Sequence, residues 1–495
     1  MKIPRLWEPN PIVVKELRQA VRSRFVTGVL MLFLFVEVVG AGIVLWNSSL
    51  RGMFSISARL EAGRNMFRTL TTILSAATLL FVPIYTGIRL AMERSRSNMD
   101  LLYITTIRPN AVVRGKLFAG GVITVLLFAA AMPFMSFTYV LRGIDLPTVS
   151  VALAAGMVLV LASIQAAIFL ACLPVSIPFR LIVGLGFLGC LFFLLTGFNG
   201  AVYGMISFGV GSQIWSWDFW GPATIALGVI ATIFGFLHFA SVALISPAAS
   251  NRSLPMRLYV TIAWILWGTA AIWLSFRLGD EFFLPWSVLS VMILSPVLLV
   301  AVSENETLSA RVRNRIPRSL WVRPFAFLFY NGPAAGILWV AVITAISILT
   351  ANIIGSAYFP GSHMQEYMEK MGQVSAGVFL YFWAYALTAL LLWRLFLKRW
   401  LKHSAIWVVA LLLMAAVGIV PVLIALAVEE NFGDFNNPPF WFYAGNIIGL
   451  AQDELRPNLF VIASIWAGSV TLLNAGWFWR QIRLFRPPSD SREQV

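Results

Sequence analysis

Twelve uninterrupted apolar stretches, each about 18 to 25 residues long, leave few folds open to this chain. Coiled as α-helix, a stretch of that length crosses a hydrocarbon layer of about 30 Å. No water is present there to satisfy backbone N–H and C=O groups, so only helices and closed barrels cross it. Barrel strands alternate apolar and polar residues, and these stretches do not. The expected fold is all-α: a polytopic integral membrane helical bundle of about 12 transmembrane helices. Composition agrees, because 59% of the 495 residues are hydrophobic and only 12% charged, more apolar side chain than a soluble core buries.

The spans are expected near residues 25–46, 69–91, 117–140, 149–173, 181–198 and 219–245, and then near 258–276, 283–302, 333–355, 373–394, 404–428 and 458–479. The first 24 residues are charged and the first apolar block is full length, so that block is expected to remain as an anchor. Cys172 and Cys190 both fall in apolar blocks and read as small hydrophobes rather than a disulfide framework.

Lys plus Arg number 36 against 21 Asp plus Glu, a formal charge of +15. In a soluble protein that excess points to nucleic acid; in a membrane protein it belongs to the cytoplasmic loops, and no nucleic-acid partner is expected. With the N-terminus placed inside, 28 basic residues fall on inside segments and 8 on outside ones. Both termini are therefore expected in the cytoplasm. Arg51, Arg59, Arg64 and Arg68, in the first outside loop, are a local exception.

The chain divides into an amphipathic cytoplasmic interfacial helix within 1–24, a six-span half 25–250, a second six-span half 251–480 and a tail 481–495. Two features hint at a twofold organisation. The longest basic inside loops, 92–116 and 303–332, each follow the second span of a half. The last outside loop of each half is aromatic: Trp215, Trp217, Phe219 and Trp220 in one, Phe440, Trp441, Phe442 and Tyr443 in the other.

Asn10 and Pro11 form a helix start. Beyond them Val13, Leu17, Ala20 and Val21 share one side of the helix and Lys15, Arg18 and Arg22 another. Such a helix lies in the membrane interface, as a simple lipid anchor or as part of a docking surface. In the loop 92–116, Ser97 or Asn98 caps a short helix, Asp100 suits its first turn and Pro109 limits its length. Leu101, Leu102 and Tyr103 are apolar on a helix too short to build a core, so another part of this protein or a docked partner must cover them. Glu37 lies in the middle of the first span, where a carboxylate is either a proton or substrate site or a hydrogen-bonded structural group. His238 in the sixth span is weighed in the same two ways. Pro83, Pro133, Pro296 and Pro421 are expected to kink their spans.

These motifs resemble the permease subunits of ABC-2-type ATP-binding-cassette exporters. The resemblance rests on Asn10-Pro11 with Lys15-Glu16-Leu17-Arg18; on Glu93, Asp100-Leu101-Leu102, Pro109 and Gly115-Lys116; and on Asn251-Arg252 with Leu254-Pro255. It covers about residues 8–257, and the second half departs from it. The resemblance implies that Lys15, Glu16, Arg18, Arg22, Glu93, Asn98, Asp100, Leu101, Leu102, Tyr103, Pro109 and Lys116 form the surface on which a separate cytoplasmic ABC ATPase subunit docks. It also implies a bacterial cytoplasmic (inner) membrane location, contact with membrane lipid, and a homo- or heterodimeric assembly as one open arrangement.

The chain has no G-x-x-x-x-G-K-[ST] phosphate loop, so ATP and Mg would be held by the partner subunit and no cofactor by this chain. His238, His363 and His403 lie in different segments, so neither a metal site nor an enzyme of its own is expected. The expected function is export coupled to ATP hydrolysis by a separate subunit. Two alternatives remain open: a twelve-span secondary transporter driven by an ion gradient, and a membrane assembly factor that transports nothing.

Overall fold

The computed structural model describes residues 11–50, 56–95, 108–173, 177–247, 249–278, 283–358, 363–428, 445–452 and 454–487. Among them are twelve helices long and apolar enough to cross a membrane, and no strand. We number them spans 1 to 12: Arg24–Ser49, Leu60–Glu93, Pro109–Val140, Leu146–Cys172, Arg180–Phe208 and Trp217–Ile245, then Ser253–Arg277, Phe283–Ala301, Pro333–Ile354, Glu369–Leu395, His403–Pro421 and Arg456–Leu484. Span 2 starts nine residues before its expected position (60 against 69) and span 3 eight before (109 against 117), because helix continues past the apolar block into charged sequence. Arg64 and Arg68 are therefore on a helix and not in a loop. Arg64 Nε donates to the Gly143 carbonyl at 3.1 Å, and the Arg68 guanidinium lies over the Tyr203 ring at 4.9 Å.

The surface confirms the solvent. Phe193, Leu185, Leu472 and many other large apolar side chains are exposed along the spans, far more than a water-facing surface carries, as expected where lipid is the solvent. The protein is an integral membrane protein.

The chain forms two compact units, Met1–Pro247 and Ala248–Val495, the break falling three residues before the division at 250/251 read from the sequence. In the first unit, span 2 packs on spans 1, 3, 4 and 5, span 4 on spans 2, 3, 5 and 6, and span 3 on spans 1 and 6. In the second unit, span 8 packs on spans 7, 9, 10 and 11, span 10 on spans 8, 9, 11 and 12, and span 9 on span 12. Adding six to each number in the first pattern reproduces the second, apart from the pair of spans 1 and 3. Each unit is thus built around its own second and fourth spans. Burial follows: the apolar window of span 10 is 56% buried within the protein and that of the peripheral span 5 only 6%. Each unit also has its own core, with Phe67, Leu70, Val82, Ile164 and Ile168 in the first and Leu298, Val340, Leu387 and Leu390 in the second.

Both central second spans are interrupted. Span 2 carries a one-turn π-bulge at Ala77–Phe81, just before Pro83. Pro83 has no N–H, and its ring would clash with the Leu79 carbonyl in a regular helix; the wider turn makes room. Span 8 breaks at Ser295-Pro296, between helices Phe283–Leu294 and Val297–Ala301. Pro133 and Pro421 lie within continuous helices, so those two prolines do not interrupt their spans. Span 4 begins at a conventional cap. The Asp145 carboxylate accepts from the Thr148 N–H at 3.2 Å and from its hydroxyl at 2.6 Å, with Pro147 in the first turn.

Candidate functional site

Of the residues picked out by the sequence, Lys15, Glu16, Arg18, Arg22, Glu93, Pro109 and Lys116 lie on or next to elements that pack together in the first unit. The N-terminal helix, Pro11–Val21, packs against span 3. Val13, Glu16 and Ala20 face inward and are buried, while Lys15, Arg18 and Arg22 are exposed. The inward face therefore meets protein and is not a free lipid anchor. A carboxylate buried in that face demands a partner. It finds one in Lys116 of span 3, whose Nζ lies 2.6 Å from Glu16 Oε1 and 2.8 Å from Glu93 Oε2 at the end of span 2. Lys15 approaches Glu93 at 3.7 Å with both side chains partly in water, a contact worth little by itself. One turn back on span 2, Arg89 donates to the Gln19 side chain at 2.9 Å and to the Tyr85 hydroxyl at 2.7 Å, and stacks over that ring.

Glu16, Glu93 and Lys116 thus form a clasp that binds three elements: the helix preceding span 1, the end of span 2 and the start of span 3. It closes the base of the segment 96–107. Asn98, Asp100, Leu101, Leu102 and Tyr103 belong to that segment and lie outside the described residues. Pro109 opens span 3. Glu16 and Lys116 are buried and offer a partner position rather than surface. Lys15, Arg18 and Arg22 are the exposed members of the set.

His238 and Glu37 are separate from the clasp. His238 Nε2 lies 3.0 Å from Asn110 Oδ1, joining span 6 to the first turn of span 3, and one turn on, Ser241 Oγ accepts from Gln165 of span 4 at 3.3 Å. Glu37 is fully buried, and both its carboxylate oxygens lack a hydrogen-bond partner among the described residues. It faces span 2: at Gly40, one turn along, an added Cβ would come within 2.7 Å of Ile73.

The second unit has a corresponding node that the sequence reading missed. Arg257, near the start of span 7, is only 2% exposed and is held by Glu304 beyond span 8 at 2.5 Å and by the carbonyls of Leu328 and Tyr330, each at 2.8 Å. Glu304 Oε2 also accepts from the Gly332 N–H at 2.8 Å, where φ of +138° suits glycine. Asn251 and Asn331 bind each other's flanking backbone: the Asn331 N–H donates to Asn251 Oδ1 at 3.2 Å, and Asn251 Nδ2 to the Phe329 carbonyl at 3.2 Å. The signal was Arg257 and Glu304 at the ends of successive spans, but nothing in the sequence pairs residues that far apart. Nearby, Glu306 accepts from the Trp477 indole at 2.9 Å, with His403 at 3.5 Å and Arg480 at 3.8 Å. His403 and the Trp477 N–H hold its carboxyl down at about 2 against the ordinary 4.5. Among the described residues no three His, Cys, Asp or Glu side chains are grouped for a metal ion.

Compared with protein-family models, with curated proteins and with solved structures, the chain has no match.

Proposed function

We propose that this protein is the membrane-spanning permease of an ATP-driven exporter, worked by a separate ATPase subunit docked on the 92–116 segment and the N-terminal helix. The supporting observation is the Glu16–Lys116–Glu93 clasp. Its bonds make the N-terminal helix and the adjoining ends of spans 2 and 3 one mechanical body. A push on the segment 96–107 would then reach span 2, the helix on which spans 1, 3, 4 and 5 all pack. The π-bulge in that helix supplies a place for it to bend. In this reading ATP and Mg belong to the partner, the 92–116 side faces the cytoplasm, and the membrane is the bacterial cytoplasmic one.

The test is a Leu101→Ala, Leu102→Ala double change in the full chain. It is expected to remove about 2 to 4 kcal/mol of docking energy and to weaken ATPase co-purification tenfold or more. Expression and detergent stability should stay near wild type. Asp145→Asn is the control, because asparagine caps a helix as aspartate does. Full retention of the ATPase by the double variant, or no ATPase bound to the wild type, sinks the proposal.

The Glu37 carboxylate, without a hydrogen-bond partner among the described residues, favours a second reading, an ion-driven secondary transporter. Loss of transport in a well-folded Glu37→Gln protein that never binds an ATPase would establish it in place of the first.

A further inference from the structure

The stretch 307–332 between spans 8 and 9 contains Arg311, Arg313, Arg315, Arg318 and Arg323 and no acid. The acids just before it are engaged elsewhere, Glu304 with Arg257 and Glu306 with Trp477, Arg480 and His403. The stretch is fastened to its own unit from within. Val312 and Ile316 are buried, Ser309 caps the short helix Ala310–Arg313 and donates to the Ala249 carbonyl at 2.9 Å, and the Tyr330 hydroxyl donates to the Arg315 carbonyl at 2.6 Å. With those residues pinned inward, Arg311, Arg313, Arg315 and Arg318 are turned outward and exposed.

An apolar knuckle follows directly. Leu320 is 74% exposed, Trp321 88% and Phe325 72%. The knuckle is not loose chain, because the helix Arg323–Phe329 packs Phe327 and Leu328 on the core of the unit and contacts spans 7 and 9. Arg257, one turn into span 7, bonds the Leu328 carbonyl, and span 9 starts at Pro333. The knuckle is therefore carried by a helix packed on spans 7 and 9 and directly precedes the start of span 9; hydrocarbon gives way to headgroups where such spans end. Tryptophan partitions to that layer, and the guanidinium fork fits phosphate oxygens.

We propose that residues 310–325 form a phospholipid-binding element, in which Leu320, Trp321, Val322 and Phe325 enter the acyl boundary and Arg311, Arg313, Arg315 and Arg318 take lipid phosphates, with preference for anionic headgroups. The element ties the connection between spans 8 and 9 to the bilayer surface. It makes the second unit sensitive to the charge of the surrounding lipid. The proposal stands whether or not an ATPase docks on the first unit.

The test uses the full chain in lipid nanodiscs. With Cys190→Ser and Trp321→Cys, a fluorophore at position 321 should be quenched by phosphatidylcholine brominated near the top of the acyl chain and shielded from aqueous iodide. A probe open to iodide and indifferent to brominated lipid overturns the proposal, the result expected if the knuckle projects into water or awaits a protein partner. In the second arm, phospholipid retained by the purified protein is counted by native mass spectrometry after exchange into equimolar phosphatidylglycerol and phosphatidylcholine. Changing the four exposed arginines to glutamine should reduce the preference for phosphatidylglycerol at least tenfold, about 1.4 kcal/mol. These side chains are on the surface, so the unfolding temperature should be unchanged. Equal preference in wild type and variant overturns the anionic assignment.

Discussion

Lys116 is held between two carboxylates where water hardly reaches, so its removal strands a buried charge on Glu16. Breaking a buried pair by deleting one partner costs about 3 to 5 kcal/mol, whereas replacing both partners by neutral groups costs much less. Lys116→Met should therefore lower the unfolding temperature in detergent sharply, and adding Glu16→Gln should restore most of the loss. If the double variant is no more stable than the single one, the clasp is not the source of the effect. Glu306 is tested through pH. A carboxyl depressed to about 2 from 4.5 stabilises the folded state above the ordinary value and loses that contribution as pH falls from 4.5 towards 2. The gap in unfolding temperature between wild type and Glu306→Gln should be full at neutral pH and shrink below pH 4.5; a gap flat across that range would mean that the His403, Trp477 and Arg480 contacts do not act on the charge. At this scale the resemblance singled out Glu16, Glu93 and Lys116 for a docking surface, and gave no sign that both acids share Lys116. Arg257 and Glu304 escaped notice because charged residues at span ends usually face water.

The two central helices of the first unit cross closely at a small residue. A Cβ at Gly87 of span 2 would lie 3.3 Å from the Ala167 carbonyl and from its Cβ in span 4, whereas Gly184 of span 5 has open space around it. Overpacking at such a crossing costs about 1 to 3 kcal/mol. Gly87→Leu should thus lower the unfolding temperature by several degrees while Gly184→Leu leaves it alone; equal effects would refute the close crossing. Apolar run length and terminal charges located all twelve helices. They did not show that helix continues into the charged flanks of spans 2 and 3, since hydropathy measures only the part that lipid solvates. Of the four prolines, Pro83 and Pro296 coincide with interruptions and Pro133 and Pro421 do not. The difference depends on whether neighbouring helices accommodate a displaced turn, and no residue count reports that.

Across the whole molecule, one packing rule is used twice: second and fourth helices central, first, fifth and sixth at the periphery, third alongside. Each unit holds six candidate spans among the described residues, an even number. Reporters fused after residues 112, 320 and 492 should accordingly read cytoplasmic, and those near 145 and 365 external, as the 28 to 8 distribution of basic residues requires. The opposite pattern, or a mixture, would break the twelve-span assignment. The sequence alone determined the solvent, the helical class and the number of spans, because all three follow from the length and spacing of apolar runs between charged segments. Only the tertiary structure decided which spans are central, which carboxylates Lys116 neutralises, that Arg257 is enclosed by the 303–332 stretch, and that Trp321 stands in the open. Those outcomes depend on contacts between residues far apart in the chain, and the hydropathy of a helix does not say which of its faces another helix will cover.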